Sequence, residues 1–173
     1  MPDAANHTVT NILRNNERLL IRSFLPEDRP HLLAALGQVS GTTFYRRFFG
    51  PKRQLREEEI AFFSNVDFIN HVALVAVIDR DRQSTIIGAA RYIVVGQGKA
   101  EIALAVSDKY QGLGIGSALV RELACIARGA GLHELVAEVL IENVAMLKIF
   151  DRSGFEVTKE ADMGNVRVTL HLG

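Results

Sequence analysis

Gln111-Gly112-Leu113-Gly114-Ile115-Gly116-Ser117 is the stretch whose reading decides the fold of this chain. It follows an alternating apolar run, Glu101 to Val106, and it opens a segment with helical spacing from about Gly114 to Arg128. Glycines at 112, 114 and 116 free the backbone to take positive φ and let a ligand approach the main chain with no Cβ in the way. A helix starting here presents unpaired N–H groups and about half a unit of positive charge. Together these features make an anion site, and a diphosphate is its natural occupant.

Other phosphate loops fit less well. A Walker-type loop needs Gly-Lys-Ser/Thr, and no lysine follows any of these glycines. A dinucleotide fingerprint read from Gly114 reaches Leu119 where a small residue is required for close helix–strand packing. A glycine-rich helix start with no ligand stays open on the glycines alone.

Working outward, Ile115, Ala118, Leu119, Leu123 and Ile126 form one apolar stripe, closed by Gly129 and Gly131. Upstream, His71 to Ile78, Thr85 to Val95 and Glu101 to Val106 read as three strands of an antiparallel meander, with turns at Asp79–Ser84 and Gly96-Gln97-Gly98. Downstream, a strand from Glu134 to Ile141, a helix from Asn143 to Asp151 and two strands around a Gly164-Asn165 turn complete the chain. The strand–helix–strand unit from Glu101 to Ile141 predicts two parallel strands with a right-handed crossover. Near the N-terminus, residues 1–17 read as a loose, flexible leader, Leu19 to Phe24 as a short strand, and Glu27 to Val39 as a helix. Two further helical pieces are expected between Thr42 and Asn65. The fold class is therefore α/β (α+β): a mixed, mostly antiparallel sheet of about seven strands with helices on both faces, forming one domain over 18–173.

Composition narrows the function classes. At 173 residues the chain fits one domain, and such a domain buries roughly 70% of its unfolded surface without needing a disulfide or metal. Lys+Arg and Asp+Glu are both 20, so the basic excess of a nucleic-acid binder is missing. The single cysteine, Cys125, cannot form an intramolecular disulfide and reads as a packing residue of the helix. No apolar run reaches the roughly 18 residues of a membrane span, and the first residues lack a signal-peptide pattern, so a cytoplasmic protein with no membrane partner is expected. Histidines 7, 31, 71, 133 and 171 have no metal-ligand spacing, so no metal is expected.

The pattern Gln-x-x-Gly-x-Gly at 111–116, after Leu104-Ala105-Val106 and opening a helix, resembles the acetyl-CoA signature of the GNAT superfamily of N-acetyltransferases. Asn143 followed by a helix and Ser153-Gly154-Phe155 matches its second landmark. Tyr45-Arg46-Arg47-Phe48-Phe49, Ala100-Glu101-Ile102-Ala103 and Asn143-Val144-Ala145-Met146-Leu147 look like the acetyltransferase domain of bacterial protein-lysine acetyltransferases. The resemblance implies acetyl-CoA as co-substrate and a protein lysine as acceptor, on a metabolic target such as an acyl-CoA synthetase. It implies that the strands at 101–106 and 134–141 splay apart after a bulge, with pantetheine pairing along Leu104, Ala105 and Val106. Gly112, Leu113, Gly114, Ile115, Gly116 and Ser117 would take the diphosphate beside Gln111, Asn143 would lie against the pantetheine, and an N–H near Val106 would face the developing oxyanion.

An amine must be neutral to attack a thioester, and a lysine of ordinary pKa is only about 0.04% neutral at pH 7, so a general base is useful. Glu101 is the candidate. Alternation puts it on a face shared with Ala103 and Ala105, with open space in front of it and partial loss of water; the resemblance places the catalytic glutamate there as well. The tyrosine that protonates the leaving thiolate in many relatives is replaced by Phe150, so no acid is assigned; Tyr110 and Tyr92 are weaker candidates. Tyr45 and Arg46 are candidates for the acceptor wall, although an aromatic stripe is more often core. The Glu57–Glu59 run reads as a solvated helix face that could also attract a cationic acceptor. A small-molecule amine acetyltransferase and a non-catalytic acyl-CoA sensor are the alternatives.

Overall fold

A computed structural model describes residues 3–32 and 65–173. Its described residues form β1 (Thr8–Ile12), β2 (Arg18–Ser23), β3 (His71–Arg80), β4 (Gln83–Gly96), β5 (Lys99–Val106), α1 (Ile115–Gly129), β6 (Glu134–Leu140), α2 (Val144–Asp151), β7 (Glu156–Asp162) and β8 (Asn165–His171). The strands make one sheet in the order β1-β2-β3-β4-β5-β6-β8-β7. Among the described strands only β5 and β6 pair in parallel, joined by the α1 crossover. The mixed, mostly antiparallel sheet is as expected, with eight strands in place of about seven.

The additional strand is β1. Residues 8–12, expected within a loose leader, pair antiparallel with β2 from Thr8↔Arg22 to Ile12↔Arg18. Leu13 is buried, and Leu13 N–H donates to Glu17 O across the turn. Of two other turns, one is tighter than its sequence suggested and one is shifted by a residue. Between β3 and β4 only Asp81 and Arg82 lie outside the ladder, both with positive φ, as a two-residue hairpin turn of the right twist requires. The β7–β8 turn is Met163-Gly164, not Gly164-Asn165, because Asp162 pairs with Asn165.

α1 forms where the apolar stripe predicts it. Ile115, Ala118, Leu119, Leu123 and Ile126 are buried against Ile102, Leu104, Leu135 and Leu170 in the main core. Burying each leucine or isoleucine contributes about 1.5–3 kcal/mol. Gly131, at φ 87, ends the helix, and Leu132 N–H folds back onto Ala127 O at 3.0 Å. α2 lies on the same side of the sheet, with Phe150 buried in that core. The opposite face carries a second apolar cluster of Phe24, Leu32, Val75, Val77 and Ile86. The helix expected over Glu27–Val39 is helical at residues 29–32; its remainder and the two helical pieces expected between Thr42 and Asn65, with Tyr45, Arg46 and Glu57–Glu59, lie outside the described residues.

Candidate active site

Parallel pairing between β5 and β6 covers only Lys99↔Glu134, Ala100↔Leu135 and Glu101↔Val136. Beyond Glu101 the two strands have no ladder contact, although β5 runs on to Val106 and β6 to Leu140. The sheet is therefore open at its centre. The expected bulge is not in β5, which pairs residue for residue with β4 from Ala100 to Val106; the register shifts fall in β4, at Ile87 opposite Ala76/Val77 of β3 and at Val95 between Val94 and Gly96. The opening comes from β6 turning away after Val136 to stay paired with β8.

Parity fixes which groups face the opening. Ser107 N–H donates to Ile87 O at 2.7 Å, so the main-chain groups of 101, 103, 105 and 107 point toward β4. Those of Ile102, Leu104 and Val106 point the other way, into the splay. Val106 O accepts from the Gln111 side chain at 3.1 Å, which ties the strand end to the glycine loop. Side chains follow the complementary rule: Ile102, Leu104 and Val106 are buried under α1, while Glu101, Ala103 and Ala105 face the other side.

The loop has the geometry of an anion cradle. Gly114, at φ 93, is the N-cap of α1, and the first helical hydrogen bond is Ala118 N–H to Gly114 O at 3.1 Å. Among the described residues, the N–H groups of Gly112, Leu113, Gly114, Ile115, Gly116 and Ser117 have no acceptor. Gly112 and Gly114 have positive φ, and a Cβ on either would meet nothing within 4 Å, so backbone conformation, not crowding, requires glycine there. Gly116 differs from its expectation. Its φ is not positive, and a Cβ would stand 2.6 Å from Ile149 Cδ1, so this glycine lets α2 pack against α1. Ser117 Oγ donates to Ile149 O at 3.4 Å, part of the same helix contact.

A cavity of about 550 Å³ runs from this amide row through the splay to Glu101, a size suited to a small-molecule ligand. Leu104, Ala105, Val106, Gln111, Asn143 and Phe150 line it. Asn143 is buried and caps α2, its Oδ1 accepting from Met146 N–H at 3.2 Å. Leu113 is the one expected loop residue off the cavity wall; it packs instead against the main core. Open amides, a φ-demanding loop and a gap of unpaired strand edge fit a thioester donor with a diphosphate at one end and an amide-bearing arm in the middle.

Glu101 is exposed and makes no hydrogen bond or ion pair among the described residues, so its alanine-lined face does not strip water from it here. Of the two tyrosines considered as acids, Tyr92 is excluded: it is buried under α1, away from the cavity, and burial pushes its phenol up to about 12. Tyr110 does line the cavity. Cys125 does not. Among the described residues no three His, Cys, Asp or Glu side chains are grouped to hold a metal, and no helix is long and apolar enough to cross a membrane.

Sequence reasoning missed four charged groups on the wall, Arg14, Glu138, Lys148 and Arg152. Glu138 lies two residues beyond Val136, the partner of Glu101, so it shares Glu101's sheet face on the opposite side of the splay. A period-2 reading of 134–140 would have found it; nothing local in the sequence marks Arg14.

Comparison with known proteins agrees with this geometry. The acetyltransferase (GNAT) family pattern matches residues 40–155. The chain is 35% identical over 156 residues to the acetyltransferase Pat of Mycolicibacterium smegmatis, covering 89% of this chain and 46% of that protein. It thus spans about half the length of that curated relative. The GNAT domain of S. lividans PAT superposes with a TM-score of 0.84 at 30% identity, covering 95% of this chain and 96% of that one. A cAMP-binding acyltransferase from Mycobacterium smegmatis gives 0.66 at 27% identity, covering 98% of this chain and 48% of that one. This chain belongs to the acetyltransferase (GNAT) family.

Proposed function

We propose that this domain transfers the acetyl group of acetyl-CoA to the ε-amine of a lysine on a protein, by direct attack with both substrates bound. The observation that carries the reading is the opening between β5 and β6, with Glu101 at the last paired position and the free amide row at the other end of the same cavity. Bound acetyl-CoA supplies an activated acyl carbon. Glu101 accepts a proton from the lysine ammonium, and the neutral amine then forms the new C–N bond as the C–S bond breaks; the coenzyme A thiolate departs and takes up the proton that the new amide nitrogen loses. The Val106 N–H faces the splay and is positioned to hydrogen-bond the thioester oxygen as charge grows on it. Gly112–Ser117 hold the diphosphate, Leu104 and Val106 pair with the pantetheine amides, and Asn143 borders the arm. Phe150 has no proton to give; a thiol of pKa near 8.5 is a tolerable leaving group, so departure needs no tyrosine.

A protein acceptor is supported by the likeness of the chain to the acetyltransferase domain of bacterial protein-lysine acetyltransferases, and by the match along nearly the full S. lividans PAT domain. A metabolic enzyme such as an acyl-CoA synthetase is the proposed target. The test incubates the protein with acetyl-CoA and, separately, an acyl-CoA synthetase, a polyamine and free amino acids, following thiol release and acceptor mass. Acetyl-lysine on the synthetase is expected. Thiol release with small amines alone would reassign the acceptor, and binding without acceptor-dependent release would mark an acyl-CoA sensor.

A further inference from the structure

We propose that Arg14, in the turn between β1 and β2, is a phosphate ligand of the bound donor, making the N-terminal hairpin part of the cofactor site. The inference rests on the acetyl-CoA reading of the cavity and extends it to a segment with no signature. Arg14 is exposed, lines the cavity, and donates from Nη1 to Gly112 O at a long 3.3 Å. It has no carboxylate partner among the described residues. A guanidinium whose single recorded acceptor is one carbonyl, beside six open amides, has donors left for an anion.

Two further observations support the assignment. The charged residues of the cavity wall are segregated. Arg14 stands at the glycine loop, and Lys148 on α2 and Arg152 just after it flank Ile149, which meets Gly116 and Ser117, while Glu101 and Glu138 flank the splay. Cations thus gather where a diphosphate and a 3′-phosphate would lie, and carboxylates where a cationic amine would arrive. The hairpin is also tied to the loop a second time. Glu17, three residues after Arg14, pairs with Arg80, and the Arg80 guanidinium sits 5.6 Å from the ring centroid of Tyr110, the residue before Gln111. The turn is thereby held beside the start of the glycine loop, where Arg14 can exchange the Gly112 carbonyl for a phosphate oxygen without moving the backbone.

The experiment measures dissociation constants of wild type, Arg14→Lys and Arg14→Ala for three donors: acetyl-CoA, acetyl-3′-dephospho-CoA and S-acetylpantetheine. Thermal midpoints are measured alongside. Arg14→Ala should weaken acetyl-CoA binding roughly 5- to 30-fold, as loss of one charge-assisted contact does, and flatten its salt dependence. Arg14→Lys should fall between, and S-acetylpantetheine should bind all three proteins alike. A loss that persists with the dephospho donor assigns the diphosphate as Arg14's partner; a loss that vanishes with it assigns the 3′-phosphate. Equal weakening of all three donors would overturn the proposal in favour of a purely structural hold on Gly112, as would unchanged acetyl-CoA affinity in Arg14→Ala. Failure of the wild type to bind acetyl-CoA would instead sink the donor reading itself.

Discussion

Gly114 and Gly116 look alike in the sequence, yet the structure constrains them by different forces, and alanine at each should fail differently. At Gly114 a methyl has open space, but φ 93 costs an L-residue about 1–2 kcal/mol. The unliganded loop of Gly114→Ala will relieve that strain by turning its amides off the cavity, and binding must restore it. At 1.4 kcal/mol per decade, acetyl-CoA affinity should fall roughly 5- to 30-fold by calorimetry. At Gly116 the added methyl would stand 2.6 Å from Ile149 Cδ1 and 3.1 Å from Cγ1, so Ile149 must retreat roughly 1 Å to reach ordinary contact. Overpacking of this kind costs about 1–3 kcal/mol, and each kcal/mol lowers the midpoint of a chain this size by about 2–4 °C. Because the clash is with one side chain, Gly116→Ala with Ile149→Ala should be less destabilised than the sum of the single changes. Strictly additive melting losses would refute the packing role of Gly116. Gly114→Ala with unaltered affinity and unaltered midpoint would refute the strain argument.

Glu101→Gln should lower turnover by about 10²–10⁴-fold while acetyl-CoA affinity stays within twofold, read by steady-state kinetics and calorimetry; undiminished turnover removes Glu101 from the mechanism. Met163, 98% exposed at φ 47 in the β7–β8 turn, is a poor residue for that conformation. Met163→Asn should raise the melting midpoint by about 2–4 °C, and a lower midpoint would contradict the strain assigned to the turn. Burial by itself would raise the Asp28 carboxyl, but the two hydrogen bonds from Arg22, at 2.7 and 2.8 Å, and the Leu25 N–H hold it below the usual range. A depressed carboxyl contributes stability that is complete above an unfolded-state pKa of about 3.9 and is lost as pH falls through the folded value. Acid unfolding should therefore be shallower in Asp28→Asn than in wild type between about pH 4 and 2, with lower stability at pH 7. Parallel acid profiles would show that Asp28 carries no such linkage.

Elements set by local periodicity were readable in the sequence. The α1 stripe, the alternation of 101–106 and the β-branched runs of β3 and β4 each declare their partner face without knowledge of the rest. What stayed hidden depends on residues far apart in the chain. Thr8–Ile12 is flanked by asparagines and buries little, so its strand character comes from β2 alone. Gly116 is explained by Ile149, on another helix, and Arg14 meets Gly112 only because the sheet brings the hairpin to the loop. The glycine motif was legible as a loop opening a helix, but its three glycines were given one reason where the structure supplies two. Glu101 and Glu138 become members of one cavity only once the parallel register places Glu101 opposite Val136.

The central claim is that bare main-chain amides at the start of α1 grip the donor's diphosphate, and a backbone amide NMR titration tests it most directly. On adding acetyl-CoA to ¹⁵N-labelled protein, the resonances of Gly112, Leu113, Gly114, Ile115, Gly116 and Ser117 should show the largest shifts, and S-acetylpantetheine should leave them nearly still. Saturable binding of acetyl-CoA that moves other amides while these six stay in place would contradict the account.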